Sequence, residues 1–356
     1  MGKNILFVSG GEYGDIYGAS LATSLKDIMP AITVKCIGSG DKRRTGIDGP
    51  AVGTFNKELD SKKVDCIILA DQPSFDLHFI KKAKDKGISV IYYAGAHYRP
   101  LNSKQLKKLT GLIDKVLAIF PFEIPLYTEA GINFEFVGHP LVDIVDYTIS
   151  RDEAKTRLGY DITEVPVTFI PGGNVDEARH LLRLMVEGAA EAAEISTKKV
   201  KLVIPDAERY EDSFLNELIK ISPRRAKSFK GQRSTALRAS HGAVVIAGTP
   251  TIEAALSGAC ILTLQRTSVL SYFLSNLMGR YNFLGLPNII LDKPLFPELV
   301  QKNVTPKKIT EEMVVILEDH YGLDERNQGL AEVREKLGPP GTIKRAAEAI
   351  CRVVEV

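Results

Sequence analysis

A chain of 356 residues is longer than one ordinary core supports and accommodates two domains of average size. Its apolar share of 44% and charged share of 25% are those of a soluble globular protein. With 46 basic against 44 acidic residues, no basic run and no interleaving of aromatic with basic side chains, nucleic acid is not an expected partner.

The four cysteines, Cys36, Cys66, Cys260 and Cys351, are scattered and mostly embedded in apolar runs, so they read as reduced core thiols of a cytoplasmic protein. No close Cys or His pair suggests a metal site, and no cofactor is expected. The chain starts almost directly with an apolar strand over residues 4–8, preceded by neither a signal peptide nor a long apolar span.

In chain order, that first strand runs into a glycine-rich connection ending at Gly18, and residues 19–28 read as an amphipathic helix. Gly11, Gly14 and Gly18 do not have the G-x-G-x-x-G spacing, and Glu12 and Asp15 would repel a pyrophosphate. The connection is therefore expected to face a polar, hydroxylated acceptor, with tight helix-on-strand packing as the alternative. Strands follow at 33–38, 65–70, 89–93 and 115–119, with helices at 79–86 and 103–112, an alternation that implies a parallel sheet flanked by helices. Asp71 stands at the end of one of these strands, at the carboxyl edge where α/β sheets bind ligands. It is the best candidate base in this half, and capping of the next turn is its structural alternative. Two further strand ends carry Phe120-Pro121-Phe122-Glu123 and Gly138-His139-Pro140, where the first sheet would hand over to a second.

After a polar helix at 150–158 the pattern starts afresh, with a strand at 166–170 and a turn, Pro171-Gly172-Gly173-Asn174, that opens a helix. Further strands are read at 201–205, 242–247 and 260–264, the last ending at Gln265 and Arg266. The strand at 242–247 leads into Gly248 and a helix capped by Thr249, with Glu253 in its first turn. Unpaired N–H groups and the partial positive charge of a helix N-terminus favour a phosphate there, while Glu253 could reach a sugar hydroxyl. An ordinary strand-turn-helix joint is the alternative. The tail from 330, broken by Gly338-Pro339-Pro340-Gly341, gives a terminal helix expected to cross back onto the first domain. The expected division is 1–148, 149–330 and 331–356: two Rossmann-like halves facing a cleft, plus the returning helix. No strict repeat relates the halves.

Taken together these pieces resemble lipid-A-disaccharide synthase, a glycosyltransferase family of the two-Rossmann GT-B class. The resemblance is carried in order by Gly11-Glu12 with Gly14-Asp15, Asp71 with Pro73 and Phe75, Phe120-Pro121-Phe122-Glu123, Gly138-His139-Pro140, Pro171-Gly172 with Glu177, Gly248-Thr249 with Glu253, and Leu286-Pro287-Asn288 with Gln301. It implies metal-free transfer, with inversion, of an acylated glucosamine-type sugar from a UDP-sugar donor to a sugar-phosphate or lipid-linked acceptor. Asp71 would be the base, Asp15 and His139 catalytic-cleft positions, and Gly11 and Glu12 substrate contacts. Glu253 would hold the ribose, Thr249 with the amides beside Gly248 the diphosphate, and Arg266 would offset charge on the leaving UDP. Asn288 and Gln301 match polar positions near the same nucleotide.

Three departures stand out. The turn Gly172-Gly173-Asn174, which the resemblance places among the substrate-binding positions, has asparagine where the family has arginine, so a phosphate contact goes with it; Arg179, one helical turn on, is the candidate substitute, although its spacing points it elsewhere. The family's tryptophan segment is replaced by residues 95–100 in a chain with no Trp at all. The apolar helix preceding the Asp71 strand is reduced to a polar stretch at 45–63, so weak or no membrane association is expected. A homodimer formed through the C-terminal half is a further implication. The function classes left open are a non-catalytic UDP-sugar-binding descendant and a UDP-sugar epimerase.

Overall fold

The computed structural model describes residues 2–9, 11–38, 59, 64–70, 77–93, 107, 109–172, 175–266, 282–318 and 323–355. The chain forms two units, Met1–Asp143 with Lys336–Val356, and Ile144–Glu335. Each is built on a six-stranded parallel sheet.

In the first unit the elements are β1 (Asn4–Ser9), α1 (Glu12–Ile28), β2 (Thr33–Ile37), β3 (Cys66–Ala70), α2 (Leu77–Asp85), β4 (Ser89–Tyr93), β5 (Lys115–Ala118), α3 (Ile124–Ala130) and β6 (Phe134–Phe136). The central strands are nearly continuous apolar runs because both sheet faces are covered, and every residue of β3 is buried. The order is β2-β1-β3-β4-β5-β6, so the direction of winding reverses between β1 and β3, where Ser9 lies opposite Ala70. Such a reversal opens a crevice at the carboxyl ends of the two strands.

The first helix corrects the sequence reading. It starts at Glu12, not at residue 19, so Gly14 and Gly18 lie within a helix and not in a loop. The reason is packing: a Cβ at Gly18 would lie 2.5 Å from the Phe7 ring, so only glycine lets α1 lie this close to β1. Burial of Tyr13, Tyr17, Leu21 and Leu25 offsets the helix-propensity cost of the glycine, about 1 kcal/mol. Of the helix expected at 103–112, residues 103–106 and 108 lie outside the described residues; the 45–63 stretch, Leu59 apart, and the 95–100 segment lie outside them as well.

The second unit contains α4 (Arg151–Arg157), β7 (Glu164–Ile170), α5 (Val175–Ile195), β8 (Lys199–Ile204), α6 (Asp212–Ile221), β9 (Ala226–Ser228), α7 (Arg233–Ala239), β10 (Gly242–Ile246), α8 (Thr249–Leu256), β11 (Cys260–Gln265), α9 (Leu286–Leu291), β12 (Glu298–Val300), α10 (Pro306–Leu317) and α11 (Leu323–Lys336). Its order β12-β11-β10-β7-β8-β9 reverses between β10 and β7, where Val245 pairs with Ile170. One apolar core joins these strands to α5 and α10 through residues such as Leu182, Met185, Ile309 and Met313. The short strands β9 and β12 were not expected, because three residues carry no periodicity to read.

A last helix, α12 (Thr342–Val354), belongs to the first unit and packs on α1 with Ala346, Ala347, Ile350 and Val354 buried. Its first turn is held by Asp143, whose carboxylate accepts from the N–H groups of Gly341 and Ile343 at 2.7 and 2.9 Å and from the Thr342 hydroxyl at 2.9 Å. No helix among the described residues is long and apolar enough to cross a membrane.

Candidate functional site

Among the described residues, the carboxyl edge of the second sheet gathers the most chemistry. Beyond β7 the chain turns at Gly172 with φ 110°, and a Cβ there would lie 3.2 Å from the Ile246 side chain, at the end of β10. Beyond β10 it turns at Gly248 with φ 112° and ψ −156°, a backbone conformation only glycine adopts without strain. The two glycine turns are thus neighbours at the point where the strand order reverses. Gly248 itself occupies the cap position, so Thr249 is the first helical residue rather than the cap, and Glu253 stands in the second turn of α8, not the first. Gly173 and Asn174 lie outside the described residues.

The start of α8 is joined to the start of α9. The Thr251 hydroxyl donates to the Gly248 carbonyl at 2.7 Å and accepts from the Leu286 N–H at 3.1 Å, so one side chain satisfies a group at each helix end. Glu298 accepts from the N–H groups of Leu284 and Gly285 at 2.9 and 2.8 Å. Asn288 is committed to the same joint. Its amide nitrogen donates to the Phe296 carbonyl and to Glu298, both at 2.8 Å, and its oxygen accepts from the Phe296 N–H at 3.0 Å. Gln301 follows β12 in a left-handed conformation, φ 51°.

Glu253 is 8% exposed and shares the interior with two residues that the sequence reading missed. Arg233, the first residue of α7, places Nη1 3.9 Å from Glu253 Oε2 and donates from Nε to Asp206 Oδ2 at 2.6 Å. Asp206 follows β8 with φ 56°, and Asp206 and Arg233 are 3% and 4% exposed. Asp206 could have been found, since it follows an apolar strand as Asp71 does. Arg233 carried no local signal.

The two arginines weighed from sequence go different ways. Arg266, at the end of β11, donates to His180 Nε2 on α5 at 2.8 Å, reaching the helix that follows the Gly172 turn. Arg179 pairs with Glu211 at 3.1 Å and lies over the Phe214 ring, turned to α6 as its spacing indicated.

In the first unit, Gly11 caps α1 and Glu12 opens it. Asp15 is buried one turn in, and a Cβ at Gly38 would lie 2.5 Å from its Oδ1, so glycine makes room for the acid at the end of β2. Burial, and then the charge of Asp15, push the Cys36 thiol up to about 11. His139 is 0% exposed; its Nδ1 accepts from the Leu141 N–H at 3.2 Å. Its ring packs against Phe120 at 4.9 Å and edge-on to Tyr17 of α1 at 6.0 Å, which brings the Gly138-His139-Pro140 segment to α1. Glu123 closes its own turn, accepting from the N–H groups of Ile119 and Phe120 at 3.2 and 3.0 Å and from the Tyr127 hydroxyl. Asp71 lies outside the described residues; it directly follows Ala70, whose register partner is Ser9. Among the described residues no group of three or more His, Cys, Asp or Glu is placed to hold a metal ion.

The sequence profile of the lipid-A-disaccharide synthetase family matches residues 51–351. The lipid-A-disaccharide synthase of Syntrophus aciditrophicus is 32% identical over 372 residues, covering 97% of this chain and 96% of that protein. That of Trichlorobacter lovleyi is 30% identical over 376 residues, covering 99% and 98%. Among solved structures, the UDP-GlcNAc 2-epimerase of Neisseria meningitidis bound to UDP-GlcNAc superimposes with a TM-score of 0.68 at 13% identity, covering 98% of this chain and all of that one.

Proposed function

Because this chain belongs to the lipid-A-disaccharide synthase family and is a glycosyltransferase of the two-Rossmann GT-B class, we propose that its donor is a UDP-linked, acylated glucosamine-type sugar and its acceptor an acylated sugar phosphate. The observation that carries the donor half is the pair of positive-φ glycine turns at the β7–β10 reversal, opening onto the start of α8 with Glu253 buried on the same helix. The Neisseria epimerase, alike in fold, was solved with a UDP-sugar, which supports the same reading.

In this reading the diphosphate lies against the N–H groups at the start of α8, and Glu253 accepts from the ribose hydroxyls. Arg266 offsets the charge that develops on the departing UDP. Amides and one cation neutralise the leaving group directly. Asp71 removes the proton of the acceptor hydroxyl as its oxygen attacks the anomeric carbon from the face opposite UDP. One C–O bond forms as the bond to the β-phosphate breaks, and the configuration inverts. We propose further that membrane contact is weak and that the chain pairs with a second copy; liposome co-sedimentation and sedimentation equilibrium check these two points.

The test is calorimetric titration with UDP, followed by assays of UDP-sugars against acylated and plain sugar phosphates. UDP is expected to bind, and Glu253→Ala to weaken it by about 1–3 kcal/mol, the cost of a lost charged hydrogen bond. Disaccharide of inverted configuration should appear only with acceptor present. Absence of UDP binding, or acceptor-independent epimerisation of the donor sugar, would overturn the reading.

A further inference from the structure

We propose that Arg233, locked by Asp206, is a positioning residue that orients Glu253 toward a pair of neighbouring hydroxyls, and so sets a preference of the nucleotide site for ribose over 2′-deoxyribose. The inference rests on the donor reading above and adds two residues that take no part in it.

Three ionisable side chains from three elements meet here in the interior: Asp206 after β8, Arg233 at the start of α7 and Glu253 on α8. Two carboxylates share one guanidinium. Desolvating such a set is costly, and apolar side chains of the same volume would fill the space at less expense, so its presence calls for a function. Asp206 also adopts the left-handed conformation, which costs free energy in any residue but glycine and persists where the surroundings enforce it.

The geometry divides the labour within the set. The 2.6 Å bond from Arg233 Nε to Asp206 Oδ2 is a short, charge-assisted one and fixes the plane of the guanidinium. Its Nη1 stands 3.9 Å from Glu253 Oε2, within ion-pairing range and beyond hydrogen-bonding range. Arg233 thus attracts the Glu253 carboxylate to one side by charge rather than by a hydrogen bond. A carboxylate steered in this way, on a rigid helix, is preorganised to accept from two adjacent hydroxyls at once. Removing one hydroxyl of the ligand then leaves an oriented acceptor unmatched, the situation in which polar sites discriminate most strongly.

The experiment titrates the full chain with UDP and with 2′-deoxy-UDP, with melting temperatures recorded in parallel. The wild type is expected to prefer UDP by about tenfold or more. In Arg233→Met the preference should shrink to about twofold while UDP still binds through its diphosphate and base, and Arg233→Lys should restore part of it. Should Arg233→Met fail to fold, the double variant Asp206→Asn/Arg233→Met removes both charges of the buried pair together and is expected to give the same collapse. A purely structural role would lower the melting temperature and leave the ratio untouched, and that result would overturn the inference. A wild type that binds both nucleotides equally would overturn it as well while leaving the donor reading standing. A wild type that binds neither would remove both.

Discussion

Glu123 and Glu253 are both buried carboxylates, and what surrounds them separates their roles. Glu123 turns inward to its own backbone, and burial, only partly offset by its hydrogen bonds from Phe120, Ile119 and Tyr127, pushes it up to about 7. A folded-state value above the unfolded value near 4.5 means that the native state holds a proton the unfolded chain has released. Its stabilising contribution is therefore complete below about pH 4.5 and lost as pH rises to about 7, on the order of 3 kcal/mol. Glu123→Gln keeps an acceptor for both N–H groups and does not titrate. Urea denaturation across this window should show wild-type stability falling relative to that of the variant. Asp71 is a residue of the other kind, argued from its place at a strand end. A base acts in the transition state and adds little to donor affinity, so Asp71→Asn should lower turnover by roughly 10²–10⁴ with UDP binding nearly unchanged. An unaffected rate in a folded variant would hand the role to His139 or Asp15.

At the scale of elements, the recurring device is a side chain from one segment that satisfies the first N–H groups of another. Thr251 does this between α8 and α9, and Glu298 does it for the residues leading into α9. Asn288 locks that joint from within, so its match to a family position near the nucleotide is met by a side chain whose partners are all in the joint itself. Asp143 is the strongest instance, since its carboxylate alone takes three bonds from the first turn of α12. Asp143→Ala is expected to destabilise the first unit by roughly 0.5–2 kcal/mol, the usual cost of a lost cap. Hydrogen exchange should then rise first in residues 342–354. Unchanged protection there would show that apolar packing against α1 holds the helix without its cap.

At the scale of the whole molecule, each unit has its own sheet and its own buried core. Both glycine turns and the Asp206–Arg233–Glu253 set belong to the second unit, Ile144–Glu335. Expressed alone, that unit should fold cooperatively and bind UDP with an affinity like that of the full chain. The first unit expressed as residues 1–143 lacks α12, leaves the apolar face of α1 without that cover, and should be recovered only when 336–356 are supplied. Calorimetry of the separate units decides both points; a second unit that folds and fails to bind UDP would show that the donor site needs residues of the first.

Two parallel sheets with covering helices were legible in the sequence because their signals are local. Apolar runs such as residues 66–70 and 242–246 mark strands buried on both faces, amphipathic stretches between them mark helices, and a glycine such as Gly248 marks a turn wherever it stands. The order of the strands is not local, and neither is anything that depends on it. That the Gly172 and Gly248 turns are neighbours follows from β7 pairing with β10 across three intervening helices and two strands. Only tertiary structure could bring Asp206, Arg233 and Glu253 into one buried set, because no spacing along the chain encodes the meeting of a strand end with two helices. Contact likewise decided where α1 begins: glycine propensity argued for a loop, and the close approach of Gly18 to Phe7, which exists only in the folded chain, made it a helix.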